Sequence, residues 1–227
     1  MKIKVYIIGL LLVAMAVTTS CEKDNYDPPK FELTGHVVYK GQALGVRTNG
    51  VQLELWQHGY KLFTKIPVYV AQDGSFSAKL FDGDYKLTAI QGNGPWVSST
   101  DSIDVHIDGN TEIDFPVTPY FLIQDESYNL SNGILNAQFS LEKIADNGKL
   151  EKVVLLIGST TIADNINNDA VSSKGSSDIS DLSQPIDLQV NVPSDLLEKG
   201  YFFVRIGVKT VGSAELLYSE SKKINVQ

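Results

Sequence analysis

The chain has 227 residues, 43% hydrophobic and 20% charged, with 27 acidic side chains, 19 basic ones and a single cysteine. A net charge of −8 with no basic run excludes the electrostatic footprint that phosphate backbones require, so nucleic acid is not an expected partner. One cysteine excludes an internal disulfide framework, and the hydrophobic share is that of an ordinary globular protein.

The chain opens on an export signal. Lys2 and Lys4 precede the apolar run Val5 to Val17, and the small residues Thr18, Thr19 and Ser20 follow, which is the charged, apolar and small-residue order of a secretory leader. The run is too short to span a bilayer, which takes about 20 apolar residues. Residues 1–20 are therefore expected to be removed, which deletes two lysines and leaves the remainder more acidic. The stretch Thr18-Thr19-Ser20-Cys21 resembles a bacterial lipoprotein box, with threonine at position 18 where leucine is usual. That resemblance implies that Cys21 is acylated and becomes the first residue of the mature chain; an ordinary cleaved leader is the alternative. Residues 21–30 are polar, charged and proline-containing, which predicts an extended lipidated tether. The acidic cluster behind Cys21 is similar to the surface-export signal of Bacteroidetes lipoproteins, which implies an outer-membrane anchor displayed at the cell surface, whereas the plainer reading is a solvated linker.

From residue 31 onward the apolar residues alternate. Phe31, Leu33, Val37 and Tyr39 share one face; Val51, Leu53 and Leu55 share the next, followed by Phe76, Ala78 and Leu80, by Tyr85, Leu87 and Ala89, by Ile103, Val105 and Ile107, and by Ile113, Phe115 and Val117. Period two predicts half-buried strands. Turn pairs such as Lys40-Gly41, Asn49-Gly50, Asp73-Gly74 and Asp82-Gly83 separate them. Pro116 and Pro119 close this series, which places a first domain at 31–118 and a second at 119–227.

The second block is expected to begin after the stretch DESYNLSNG, with Leu135, Ala137, Phe139 and Leu141 inward. The run Val153 to Ile157 predicts a strand buried on both faces. Ile186, Leu188, Val190 and Val192 alternate, as do Phe202, Val204, Ile206 and Val208; Ser194 to Lys199 suits one helical turn. Residues 163–185, rich in Asn, Asp, Ser and Gly, are expected to form a long loop. Short strands at this spacing predict an all-β chain of two consecutive antiparallel β-sandwich (immunoglobulin-like) domains.

Two stretches carry a resemblance. DGSFSAKLFDGDYKL, residues 73–87, resembles the strand-turn-strand of carboxypeptidase-regulatory-like (transthyretin-like) domains. LLEKGYFFVRIGVKTVGSAELLYSES, residues 196–221, is similar to the last strands of a fibronectin type III or immunoglobulin-like sandwich. Together with the lipoprotein box, the whole mature chain resembles an uncharacterised family of Bacteroidetes surface lipoproteins encoded beside SusC-like importers and SusD-like glycan binders of polysaccharide-utilisation loci. The resemblance implies a setting rather than a reaction.

Signals for catalysis are absent from the sequence. His36, His58 and His106 are far apart and all fall on outward strand faces, and HExxH, CxxC and GxSxG motifs do not occur. The carboxylate pairs Asp82 with Asp84 and Asp101 with Asp104 have the residue types of a glycosidase, but acids at turns ordinarily cap backbone amides. No cofactor is expected. A loop calcium candidate is formed by Asp164, Asn167 and Asp169, although the glycine and downstream glutamate of an EF-hand are missing. Trp56 alternates with the core set and therefore faces outward, while Trp96 follows Gly-Asn-Gly-Pro, a loop setting that tends to expose it. Aromatic rings with a polar rim suit the C–H face of a sugar, which makes Trp56, His58, Tyr60, Asn93 and Trp96 the candidate glycan-binding residues. The alternatives are that the second domain covers Trp56 and that Trp96 folds back to close its own sandwich. The expected function is therefore that of a non-catalytic, lipid-anchored accessory protein of a glycan-uptake system, in contact with polysaccharide and SusC/SusD-like proteins. A structural stalk or adhesin subunit without a small ligand is the alternative.

Overall fold

The computed structural model describes residues 27–59 and 63–226. The leader, Cys21 and Tyr60 lie outside the described residues. Nine strands build the N-terminal domain: β1 (Phe31–Tyr39), β2 (Gln42–Ala43), β3 (Gln52–Gln57), β4 (Ile66–Tyr69), β5 (Ser75–Leu80), β6 (Gly83–Ala89), β7 (Ser102–Ile107), β8 (Thr111–Glu112) and β9 (Phe115–Pro116). One sheet forms around β1, which pairs antiparallel with β2 and β5 and parallel with β8 and β9. The other runs β4-β3-β6-β7, antiparallel throughout. Lys40 and Gly41, at φ 50° and 80°, give β1 and β2 the two-residue turn whose twist matches a hairpin.

The expected alternation is what fills the core. Leu33, Val37, Val51, Leu53, Leu55, Phe76, Leu80, Tyr85, Leu87, Val105 and Ile107 are all buried in one cluster between the two sheets. Strand β4 was not expected. It contributes Ile66 and Val68 to the core, but four residues containing a proline read poorly as a strand, and β4 lies at a sheet edge where a missing N–H is tolerated.

The C-terminal domain comprises β10 (Phe121–Ser131), β11 (Ile134–Lys143), β12 (Leu150–Gly158), β13 (Ala170–Gly175), β14 (Ile186–Asn191), the helix α1 (Ser194–Lys199), β15 (Tyr201–Thr210), β16 (Leu217–Tyr218) and β17 (Lys222–Asn225). Its sheets are β10-β11-β14 and β13-β12-β15-β16, with β17 also on β15. Pro193 precedes α1, Leu196 is its buried residue, and Gly200 in the left-handed region at φ 82° ends it.

Two expectations need correction here. The second series of strands starts not after DESYNLSNG but ahead of it, because residues 121–131 are strand β10, which runs through that stretch. A register shift between Gln124 and Ser127, with Asp125 at φ 54°, breaks the alternation that would have revealed it. Residues 163–185 are likewise not one long loop: β13 pairs antiparallel with β12 along Ala170 to Gly175. It sits at the sheet edge and is mostly polar, so no apolar period marks it.

Val153 to Ile157 are buried as expected, but for two different reasons. Val153, Leu155 and Ile157 enter the sandwich core, while Val154 and Leu156 join Leu216 and Tyr218 in a separate cluster on the opposite face of the sheet. On that face β15 also carries Arg205, only 1% exposed. Its Nε donates to the Ser219 carbonyl at 2.9 Å, and its Nη atoms donate across the domain boundary to the carbonyls of Val46 at 3.3 and 3.4 Å and Gln72 at 3.1 Å. The guanidinium carbon lies 4.6 Å from the Tyr218 ring centre. Burial pushes its pKa down to about 10, a shift opposed by the negative charge of Asp164, so it remains charged at neutral pH. Around it Tyr218 N donates to Gly45 O at 2.9 Å, Ser213 Oγ to Gly94 O at 3.1 Å, and Arg47 forms a two-pronged pair with Glu215 at 3.0 and 2.5 Å. The domains thus meet through paired backbone, a buried cation and an ion pair at one pole of the N-terminal sandwich.

Candidate functional site

The outward face of the β4-β3-β6-β7 sheet holds the site. Because side chains alternate along a strand, burying Leu53 and Leu55 turns Glu54 and Trp56 outward on β3; burying Tyr85 and Leu87 turns Asp84 and Lys86 outward on β6; burying Val105 and Ile107 turns Asp104 and His106 outward on β7. Register then brings them together. Trp56 stands opposite Lys86, Lys86 opposite Asp104, and Asp84 opposite His106. The result is an open depression of about 790 Å³ lined by Trp56, His58, Asp84, Lys86, Asp104 and His106 among others.

Trp56 and His58 line it, and a third aromatic side chain packs against both from beside it. Phe63, 49% exposed, sits 5.0 Å from the Trp56 ring centre at an interplanar angle of 38° and stacks on His58 at 4.6 Å and 29°. Glu54 fixes the indole from below, accepting from Trp56 Nε1 at 3.2 Å while its other oxygen pairs with Lys65 at 2.5 Å. The rim is charged but locally neutralised: Lys86 Nζ donates to Asp104 Oδ1 at 2.5 Å, and His106 Nδ1 lies 2.6 Å from Asp84 Oδ1. The hydrogen bond to Asp84, then its charge and that of Asp108, raise the His106 pKa above the ordinary histidine value. An aromatic edge beside paired donors and acceptors can hold a ligand that offers an apolar ring face and several hydroxyls.

Of the sequence-predicted residues, Trp56 and His58 are in this site. Trp56 is open on the sheet face rather than covered by the second domain, since the domain contact lies at the other end of β3, where Asn93 receives Gln52 N and Gly50 approaches Glu215. Tyr60 lies outside the described residues. Asn93 is not at the depression: its side chain bridges Gln52 N at 2.7 Å and Gly50 O at 3.1 Å and pins the start of β3. Trp96 corrects the expectation of exposure. It is only 3% exposed and belongs to the N-terminal core; a side chain at Gly94 would overlap its indole, so that glycine lets the ring fold back over the end of the sandwich.

The calcium candidate is also corrected. Asp164 is 1% exposed, and its Oδ1 accepts from the backbone of Ile166 and Asn167, both at 2.8 Å. Asp169 accepts instead from Ser159 N at 2.5 Å. Asn167 turns its Nδ2, a donor, toward Asp164 at 3.3 Å, so these groups fold the loop; among the described residues no group of three His, Cys, Asp or Glu side chains is placed to share a metal ion. The carboxylate pairs named from sequence are divided too, since Asp84 faces His106 and Asp104 faces Lys86. Phe63 is the residue that sequence reasoning missed. Its stretch lacks a period, and only its neighbourhood to an outward tryptophan could have marked it.

The N-terminal domain model of a protein family of unknown function, DUF3823, matches residues 31–118, and its C-terminal domain model matches residues 121–223. A crystal structure of a DUF3823 family protein from Bacteroides ovatus is similar at 37% identity, covering 87% of this chain and 100% of that one with a TM-score of 0.80. Another from Parabacteroides merdae shows 35% identity over 88% and 100%, with a TM-score of 0.81. A Bacteroides uniformis structure described as that of a candidate carbohydrate binding protein shares the fold at 19% identity, over 87% and 99%, with a TM-score of 0.71. Curated proteins yield no match. Two domain models in tandem, and relatives above 30% identity aligned along their whole length, place this chain in the DUF3823 family.

Proposed function

We propose that the protein binds carbohydrate without transforming it, on the shelf formed by Trp56, Phe63 and His58, and that acyl chains on Cys21 hold it at the outer face of the outer membrane as an accessory to polysaccharide uptake with SusC/SusD-like proteins. One observation carries the binding reading: a half-buried Trp56 ring, oriented by Glu54 and paired with the exposed Phe63 ring, lies beside two cross-strand ion pairs on the outward sheet face. Rings of this kind stack on the C–H face of a sugar while the rim exchanges hydrogen bonds with its hydroxyls. The description of the fold-sharing Bacteroides uniformis protein points the same way. Acylation adds membrane affinity with every buried methylene.

Native gels cast with amylose, xylan or laminarin provide the test. At least one should retard the wild-type protein, and Trp56→Ala should weaken that interaction about tenfold, the loss of one stacked ring. No retardation by any of them, or equal retardation of the variant, overturns the shelf and leaves the stalk reading. The anchor is tested separately by palmitate labelling in cells: the wild type should incorporate label and Cys21→Ser should not.

A further inference from the structure

Beyond the shelf, we propose a second binding site, on the C-terminal domain, for a sugar that carries a carboxylate or sulfate. It lies on the same outward face of β15 that Arg205 occupies, at the start of the strand. Phe202 and Val204 are fully buried, so Tyr201 and Phe203 point outward, where they meet edge to face with centroids 6.1 Å apart. Arg205, two residues on, is covered by the N-terminal domain; Tyr201 and Phe203 remain half-buried.

Two ammonium groups converge on the Tyr201 ring of this pair. Lys199, the last residue of α1, holds its Nζ 4.5 Å from the Tyr201 ring centre while donating to Ser159 O at 2.7 Å. Lys223 of β17, which register places opposite Phe203, holds its Nζ 4.0 Å from the same centre. Among the described residues neither lysine has a carboxylate within ion-pair distance, and what sets the two apart from other unpaired lysines is that both ammonium groups share one ring. In a chain with net charge −8, two cations gathered on one tyrosine with no counter-charge among the described residues make a local positive patch that an anion would relieve. The rings supply what a bare anion does not need and a pyranose does: an apolar face beside the charge. An acidic sugar satisfies both halves, its ring against Tyr201 and Phe203 and its anionic group at Lys199 and Lys223.

The test uses the full chain and Trp56→Ala, each with and without the Lys199→Ala/Lys223→Ala pair, in gels containing polygalacturonate, chondroitin sulfate or neutral amylose. At least one anionic polymer should retard both the wild type and Trp56→Ala, and the lysine pair should weaken this about tenfold. The effect should shrink as salt is raised, and which polymer acts distinguishes carboxylate from sulfate. Tyr201→Leu, which keeps both charges, should lose affinity as well. Failure of every anionic polymer, or equal retardation of the lysine pair, overturns the site. Anionic binding that vanishes in Trp56→Ala but survives the lysine changes overturns it while leaving the shelf intact, and loss of amylose binding alone touches only the shelf.

Discussion

An Arg205→Ala variant should lose about 3 kcal/mol or more of stability, because it strands the buried carbonyls of Val46 and Ser219 that the guanidinium serves at about 1–3 kcal/mol for each unsatisfied group, and leaves Gln72 O with Val46 N alone. The second consequence is a change in cooperativity. In the wild type the cation bonds to both domains at once, so scanning calorimetry should show one transition. In the variant the N-terminal domain should melt separately from the C-terminal one, and X-ray scattering should report a wider spread of domain angles. Arg205→Met keeps much of the volume but none of the donors. Equal losses in the two variants would assign the effect to hydrogen bonding, and a much milder loss in Met would assign it to the void. A single transition at the wild-type midpoint in Arg205→Ala would refute the role of this cation in joining the domains.

Gly35→Ala should be comparably damaging, in the other domain and for a steric reason. Gly35 lies on β1 between β5, where it pairs with Phe76, and the segment that joins β8 to β9. A methyl group there would overlap the Ile113 carbonyl and stand 2.9 Å from Phe76 Cζ. The obstructing segment cannot retreat cheaply, since Ile113 N donates to Thr34 O at 2.9 Å and Asp114 Oδ1 accepts from His36 N at 2.9 Å. Overpacking of this kind costs about 1–3 kcal/mol, with the hydrogen bonds it would displace added to that. Gly109→Ala is the control: a side chain there meets nothing within 4 Å and should shift stability by no more than about 0.5 kcal/mol. Guanidinium melts of the two variants check both statements, and matching midpoints would refute the first.

The inward faces of both sandwiches were legible because nearly every core strand alternates cleanly; Leu53 with Leu55 and Val204 with Ile206 need no tertiary knowledge to place. Strands β4, β10 and β13 were not, for three separate reasons: a proline, a bulge and a polar edge. The site was half legible for the same cause. Alternation alone turns Trp56, Asp84, Lys86, Asp104 and His106 outward, but only register reveals that they are neighbours, because Trp56 meets Lys86 across 29 positions that no local pattern connects. Trp96 was misplaced by reading its Gly-Asn-Gly-Pro setting as exposure, whereas the absent side chain of Gly94 is what admits the indole to the core. Arg205 gave no warning at all. In the run Tyr201 to Thr210 it occupies an outward position, where an arginine ordinarily meets water, and only the arrival of the other domain buries it.

The parallel pairing of β1 with β8 and β9 sets an order in time. The first strand of the N-terminal domain is completed by the last segments of the same domain, through Leu33 with Thr111 and Val37 with Phe115. A chain emerging from its N-terminus therefore cannot finish that sheet until Pro116 has followed, and such distant closure makes for slow folding. The leading half of the protein therefore stays open along one sheet edge and locks only when its own end arrives.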